Sequence, residues 1–297
     1  MISYLSYLAY LAGWKLVGAL PEKAAYSLFD AMARRIYRKN GKSVRRLRTN
    51  LSIVNPRFSG ESLESLVLRG YQSYMRYWCD TFRIHLWSRQ RIDATVTFTN
   101  DHLLRDPMRE GLGVVVALPH SGNWDHAGAY FCQEGIRLVT VAEVLKPERL
   151  FEKFLAYREA MGFEVLGLDS RAFVTLLRRA REKRLIALVA DRDLSDSGIP
   201  VKFFGRTAKM PAGPAVLAIK EGLPLVVAHV SYTSIGIHID FHSIDVDRTG
   251  DESKDIASTV QRIASTFELG ITEHPEDWHM LQRIWICLLY TSDAADE

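Results

Sequence analysis

Seven apolar runs of strand length, alternating over much of their span with helix-like stretches, limit what this 297-residue chain can fold into. They are ATVTFT (94–99), GVVVAL (113–118), RLVTVA (137–142), FEVLGL (163–168), LIALVA (185–190), LPLVVAHVSY (223–232) and GIHIDFHSI (236–244). Near-continuous Val, Ile and Leu, as in GVVVAL and LIALVA, is the pattern of strands covered on both faces. Helical candidates such as PERLFEKFLAYREAM and RAFVTLLRRAREK sit between the runs. Strand–helix alternation of this kind predicts an α/β fold: a mainly parallel central sheet flanked by helices on both faces. Up to about residue 92 the chain reads as helical, because ESLESLVLRGYQSYMRYWCDTFRI repeats apolar residues every three to four positions. Its aromatic stripe (Tyr71, Tyr74, Tyr77, Trp78, Phe82) reads as core packing. No linker, repeat or low-complexity run divides residues 1–285, which are expected to form a single domain. The segment ICLLYTSDAADE (286–297) abandons the preceding pattern and reads as a non-native tail of the kind left by a translated adapter.

Ligands of open parallel sheets bind outside the carboxyl ends of the strands. That rule gives meaning to VVVALPHSGNWDHAG (114–128), where His120 directly follows a buried-strand run and Asp125 comes five positions later. With His120 on a turn and Asp125 one helical turn into the next segment, the carboxylate is expected to hydrogen-bond one imidazole nitrogen. The other nitrogen can then take a proton from an attacking hydroxyl, which is typically worth about 10²–10⁴-fold in rate. Ser121, Gly122 and Asn123 are small or turn-forming and let backbone approach a substrate. Alone, a His-x₄-Asp pair is a weak signal, since a single histidine is more often a satisfied surface or core residue. LVADRDLSDSGIPVKFFG (188–205) again runs from an apolar strand into polar residues. It brings Asp191, Arg192 and Asp193 to the same edge, with Asp191 and Arg192 as candidate substrate-binding residues. KMPAGPAVLAIKEG (209–222) then starts a helix with Pro211 and Pro214.

Other chemistries lack support. A metal trio of His120, Asp125 and His126 has no second ligand cluster, and His126 should point elsewhere on the helix. There is no G-x-S-x-G elbow and no glycine-rich phosphate loop. Three scattered cysteines exclude a disulfide framework or thiolate zinc site and favour a reducing compartment. Nothing calls for nucleic acid. The net charge of +3 is modest, but RRIYRKNGKSVRRLR (34–48) carries eight basic residues and no acid. Before it, MISYLSYLAYLAGWKLVGAL has one charge, Lys15, and tyrosines at 4, 7 and 10, which suit the headgroup level of a bilayer. A greasy interfacial helix over about residues 1–20, followed by a basic block, predicts a peripheral protein on an anionic membrane surface.

Several motifs in order now carry a resemblance. HSGNWD (120–125), ADRDL (190–194), VKFFG (201–205) and MPAGPAVLA (210–218) look like the lysophospholipid acyltransferase superfamily, in its bacterial lipid A late-acyltransferase branch. VAEVLKPERLFEKFLAYRE and HPEDWHMLQRIW are similar to the actinobacterial phosphatidylinositol mannoside acyltransferases, and the likeness runs from the N-terminus to Trp285. The resemblance implies transfer of a long fatty acyl chain from acyl-CoA, a co-substrate, to a mannose hydroxyl of a mannosylated phosphatidylinositol. It implies no cofactor, no metal and a place on the cytoplasmic face of the cell membrane. His120 would be the general base and Asp125 its orienting partner. Asp191 stands where relatives carry glutamate, so its reach is shorter. Glu143 and Arg158 match polar groove residues, for sugar and for phosphate-bearing ligands respectively. The same chemistry on a lysophospholipid or lipid A precursor, acyl-CoA hydrolysis, and a non-catalytic membrane-binding role are the competing readings.

Overall fold

The computed structural model describes residues 13–143, 148–168, 171–193, 195 and 197–285. Most of the expected interfacial helix (1–12) and all of the expected tail (286–297) lie outside the described residues. The N-terminal region is helical: α1 (13–19), α2 (Glu22–Lys39), α3 (Lys42–Val54), α4 (Gly60–Arg83), a 3₁₀ turn (Ile84–Leu86) and α5 (Arg89–Ala94). Ser59 opens α4 by donating its N–H to Ser62 Oγ at 3.0 Å, which satisfies a donor at the helix end. The three- to four-residue spacing of Leu66, Val67, Gly70, Tyr71, Met75 and Cys79 turns one face inward against Phe29, Leu47 and Leu51.

After α5 come β1 (Val96–Thr99), α6 (His102–Arg109), β2 (Val114–Leu118), α7 (Trp124–Gln133), β3 (Leu138–Ala142), α8 (Glu148–Ala160) and β4 (Glu164–Gly167). They are followed by α9 (Ala172–Arg181), β5 (Leu185–Val189), β6 (Ile199–Phe203), β7 (Arg206–Met210) and α10 (Gly213–Glu221). The described chain closes with β8 (Leu225–Tyr232), β9 (Ile237–Ile244), α11 (Glu252–Glu273) and a 3₁₀ turn (Pro275–Asp277). All seven apolar runs form one sheet in the order β1-β9-β8-β2-β5-β3-β4. Strands β8, β2, β5, β3 and β4 are mutually parallel; β9 runs antiparallel to β8, and β1 parallel to β9. The sheet is therefore mainly parallel, as the sequence predicts. The hairpin of β6 and β7 is a separate two-stranded sheet that the sequence reading does not contain. Its alternating pattern, with Val201 and Phe203 buried between exposed Pro200 and Lys202, is too short to stand out from a loop.

Alternation along the central strands assigns their two faces. Val115, Ala117, Ile186, Leu188, Leu225 and Val227 pack with Leu176 of α9, Leu217 of α10 and Ile263 and Phe267 of α11. Val114, Val116, Leu118, Leu185, Val226 and Ala228 face Leu104, Ala129, Phe131 and Tyr157 of α6, α7 and α8. Parallel pairing brings the carboxyl ends of β2, β5, β3 and β8 to one edge.

One close approach fixes α11 against that edge. A Cβ on Gly270 would stand 2.3 Å from Cγ of the buried His229 ring, inside any real contact distance. Alanine would gain up to about 1 kcal/mol of helix propensity at this position. Overpacking against a buried ring that has no room to retreat outweighs it. Gly270→Ala is expected to lower stability by about 1–3 kcal/mol, read as a lower urea midpoint with an unchanged slope.

Candidate active site at the strand ends

Strands β2 and β5 are neighbours with Leu118 opposite Val189. Counting two residues past each puts His120 opposite Asp191. The Asp191 carboxylate is fully buried and takes three donors. Oδ1 lies 2.5 Å from His120 Nδ1, while Oδ2 accepts the His120 backbone N–H at 3.0 Å and the Trp278 indole N–H at 2.9 Å. Burial alone would raise the Asp191 carboxyl; the facing imidazole and these donors outweigh it and hold the group below its ordinary value. A carboxylate accepting at Nδ1 selects the tautomer protonated there. The His120 side chain is 27% exposed, and its Nε2 makes no hydrogen bond among the described residues. An open, basic nitrogen backed by a buried anion is the arrangement of a general base.

The expected hydrogen bond from Asp125 to His120 is not what the structure contains. Asn123 starts α7 by accepting the His126 N–H on its side-chain oxygen at 2.9 Å, so Asp125 falls in the first turn of the helix. From there its carboxylate turns to α8 and α4. Arg158 grips it with Nε at 2.9 Å and Nη2 at 3.2 Å, and the Tyr77 hydroxyl donates at 3.1 Å. Burial and the Asp125 charge push the Tyr77 phenol well up, so it remains a donor. Burial works to lower the Arg158 guanidinium, but Asp125 more than compensates and keeps it charged. Arg158 is thus held by an aspartate of the motif itself. His126 turns away as expected, with its ring against Trp87 and its Nε2 3.2 Å from Thr95 Oγ1. Glu143 follows β3 directly and is exposed; Arg192 follows Asp191 and is partly exposed. Neither makes a hydrogen bond or ion pair with His120, Asp125, Arg158 or Asp191 among the described residues.

The turn that carries His120 is locked from several sides. Gly122 adopts φ +58°, and a Cβ there would come within 2.5 Å of the Val230 carbonyl oxygen on β8. Ser121 Oγ donates to that same oxygen at 2.9 Å and lies 3.2 Å from His229 Nε2. The Asn123 amide donates to Asp80 at 3.3 Å, and Asp80 also accepts hydroxyls from Tyr26 and Tyr232. HPEDWHM carries no motif chemistry of its own beyond the resemblance, yet this segment packs directly on the turn. Asp277 O accepts the Gly122 N–H at 3.0 Å, His279 N–H donates to His120 O at 2.8 Å, and Trp278 bridges Ser121. The Asp277 carboxylate accepts from Ser73 at 2.6 Å and from the Tyr232 N–H at 2.7 Å. A tryptophan between an aspartate and a histidine is the signal the sequence offers there.

A narrow apolar cavity of about 80 Å³ lies between α7 and the sheet, smaller than the roughly 300–1,000 Å³ common for ligand sites. Its walls include Val116, Leu118, Leu185, Val189 and Phe131, and its polar groups include Asp125 and Arg158. Trp124 belongs to the wall and meets the His120 ring edge-on at 5.7 Å. Trp124 therefore stands between this apolar cavity and the imidazole of His120. Among the described residues no group of side chains could hold a metal ion.

The sequence profile of the family described as bacterial lipid A biosynthesis acyltransferase matches residues 1–286. The phosphatidylinositol mannoside acyltransferase of Mycolicibacterium smegmatis is 39% identical over 293 residues, covering 98% of this chain and 93% of the relative. That of Mycobacterium tuberculosis is 40% identical over 294 residues, covering 97% and 90%.

Burial around the site makes acid sensitivity a consequence of the fold. It pushes His126, His229 and His279 each down to about 3, so they stay neutral in the folded protein. In the unfolded chain they protonate near 6.5, and unfolding takes up protons between those limits. Each uptake costs stability by about 1.4 kcal/mol per pH unit as pH falls. Asp80 and Asp277, raised by burial, act with the opposite sign. Three histidines outnumber two carboxyls, so the urea midpoint is expected to drop between pH 7 and pH 5. A midpoint that holds steady or rises over that interval contradicts the assignment of these rings as buried and neutral.

Proposed function

The chain belongs to the bacterial lipid A biosynthesis acyltransferase family, and from that premise we propose that it moves a long-chain fatty acyl group from acyl-CoA to a mannose hydroxyl of a phosphatidylinositol mannoside. The observation that carries this reading is His120, clamped at Nδ1 by Asp191 with Nε2 open, next to an apolar cavity. The two mycobacterial relatives named for this acceptor support its choice.

In the proposed reaction His120 Nε2 accepts the proton of the mannose hydroxyl as that oxygen bonds to the thioester carbonyl carbon. Asp191 stabilises the imidazolium that forms. Collapse of the tetrahedral adduct breaks the C–S bond; the sulfur leaves, taking the proton back from His120, and the acyl ester remains on the sugar. No covalent acyl-enzyme is required. The first carbons of the acyl chain point toward the apolar cavity lined by Val116, Leu118, Leu185 and Phe131, whose walls shield the thioester from water. Asp125, paired with Arg158, shapes the mouth of the cavity and holds α7 to α8. Glu143 at the end of β3 is placed to accept sugar hydroxyls, and Arg192 to meet a phosphate. Acyl-CoA and the acceptor are both anionic, and the basic block drawn along α2 and α3 favours their approach.

The acceptor resides in a membrane, so we place the protein peripherally on the cytoplasmic face. Arg34, Arg35, Arg38, Lys39, Lys42 and Arg45 are exposed on or beside α2 and α3, and Leu28 and Met32 of α2 are exposed with them. Among the described residues no helix is long and apolar enough to cross a bilayer.

With purified enzyme and labelled palmitoyl-CoA, label is expected on the mannosylated phosphatidylinositol ahead of lysophospholipid, lipid A precursor or water. Transfer to one of the others alone replaces the proposed acceptor. His120→Ala should lower kcat by about 10²–10⁴-fold, and an unchanged rate removes His120 from the chemistry. The protein should sediment with anionic vesicles in dilute salt and come off near 1 M, where charges are screened within about 3 Å. Failure to bind in dilute salt argues against the membrane placement.

A further inference from the structure

Trp278 makes a contact that packing alone does not require. Among the described residues it is the largest fully buried side chain, in a strap that follows α11, and it lies 87 residues along the chain from Asp191. Its indole N–H donates to Asp191 Oδ2 at 2.9 Å, on the carboxylate whose Oδ1 holds His120 Nδ1 at 2.5 Å. Its neighbours bind the same turn through backbone. His279 N–H reaches His120 O at 2.8 Å and Asp277 O takes the Gly122 N–H at 3.0 Å. Phe203 and Phe204 of the β6–β7 hairpin pack on the indole rings from the far side, with centroids 6.0 and 6.5 Å away. The donor is therefore fixed by a rigid aromatic cluster and cannot follow the carboxylate if it rotates.

We propose that Trp278 is a positioning residue for the acyl-transfer step: its indole N–H fixes the rotation of the Asp191 carboxylate, and thereby the ring orientation of His120. An aspartate has two free torsions, and its other two donors, Nδ1 and the backbone N–H, both belong to His120 and move with that turn. The indole N–H comes from a separate segment and anchors Oδ2 independently of the turn. The short reach of aspartate makes such a restraint more valuable, because a small pivot withdraws Oδ1 from Nδ1. The indole also shares the carboxylate's charge, so it sets how strongly the His120–Asp191 pair holds a proton. This proposal rests on His120 being the general base.

The test replaces Trp278 by 3-benzothienylalanine through amber suppression, which keeps the bicyclic shape and removes only the N–H; Trp278→Phe is made alongside. The expected result for the analogue is a loss of about 10- to 100-fold in kcat, the range for a hydrogen bond to a charged group at a site where geometry governs rate. KM for acyl-CoA should stay within about twofold, since ground-state binding does not use this contact. Without the indole donor the carboxylate becomes a stronger proton acceptor, and the acid limb of kcat/KM should move to higher pH. An Asp191→Asn background should abolish the further effect of the analogue. Wild-type kcat with an unmoved acid limb for a folded analogue protein overturns the proposal. Trp278→Phe reports the packing contribution, and if it fails to fold the isosteric analogue still decides. His120→Ala is assayed in parallel: if it retains transfer, the general-base reading has failed. If it is inactive while the analogue behaves as wild type, only the role of Trp278 has failed.

Discussion

A carboxylate with no exposed surface is among the costliest groups a fold can bury, and Asp191 is tolerable only because three donors converge on it. Those donors come from the end of β2, from the backbone of the same turn, and from a segment near the end of the described chain. Meeting this requirement ties the central strand pair to the C-terminal strap. It also explains why the carboxyl sits below its ordinary value in spite of burial. The same anion that demands the donors selects the His120 tautomer and leaves Nε2 outward. Stability of the site and its capacity to take a proton thus have one origin.

A second buried carboxyl network supports the first from the N-terminal helices. Asp80 of α4 gathers hydroxyls from Tyr26 and Tyr232 and the Asn123 amide, while Asp277 gathers Ser73 and the Tyr232 N–H. Burial raises both groups, in contrast to Asp191, which faces an imidazole. Both networks end at the HSGN turn, one through Asn123 and the other through the backbone of Gly122. The helical N-terminal region therefore holds the strand-end turn as well as its own core. Glycine at 122 follows from the crowding, because the β8 backbone passes too close for any Cβ.

The strands distribute two tasks between their faces. Val115, Ala117, Ile186 and Leu188 fill a dense core under α9, α10 and α11. Val116, Leu118, Leu185 and Val189, alternating with them, line the cavity under α7. A continuous apolar strand signals burial on both sides but does not distinguish a packed core from a cavity wall. The cavity becomes visible only when the opposing helix is in place.

The sequence by itself determined the seven strands, the α/β class, and the strand ends at which His120 and Asp191 lie. These follow from local composition: unbroken Val, Ile and Leu, and the switch to polar residues just after Pro119 and Ala190. Local spacing pointed to Asp125 as the partner of His120, and there it misled. Asn123 caps α7 so early that Asp125 turns to Arg158 and Tyr77. The β6–β7 hairpin and the strap at Asp277–His279 were not legible either, since short alternation and isolated polar residues carry little local signal. Only the tertiary structure decided which acid meets the imidazole. A partner 71 residues away becomes adjacent because β2 and β5 pair in register, and that pairing is set by packing across the whole sheet, not by the residues around His120.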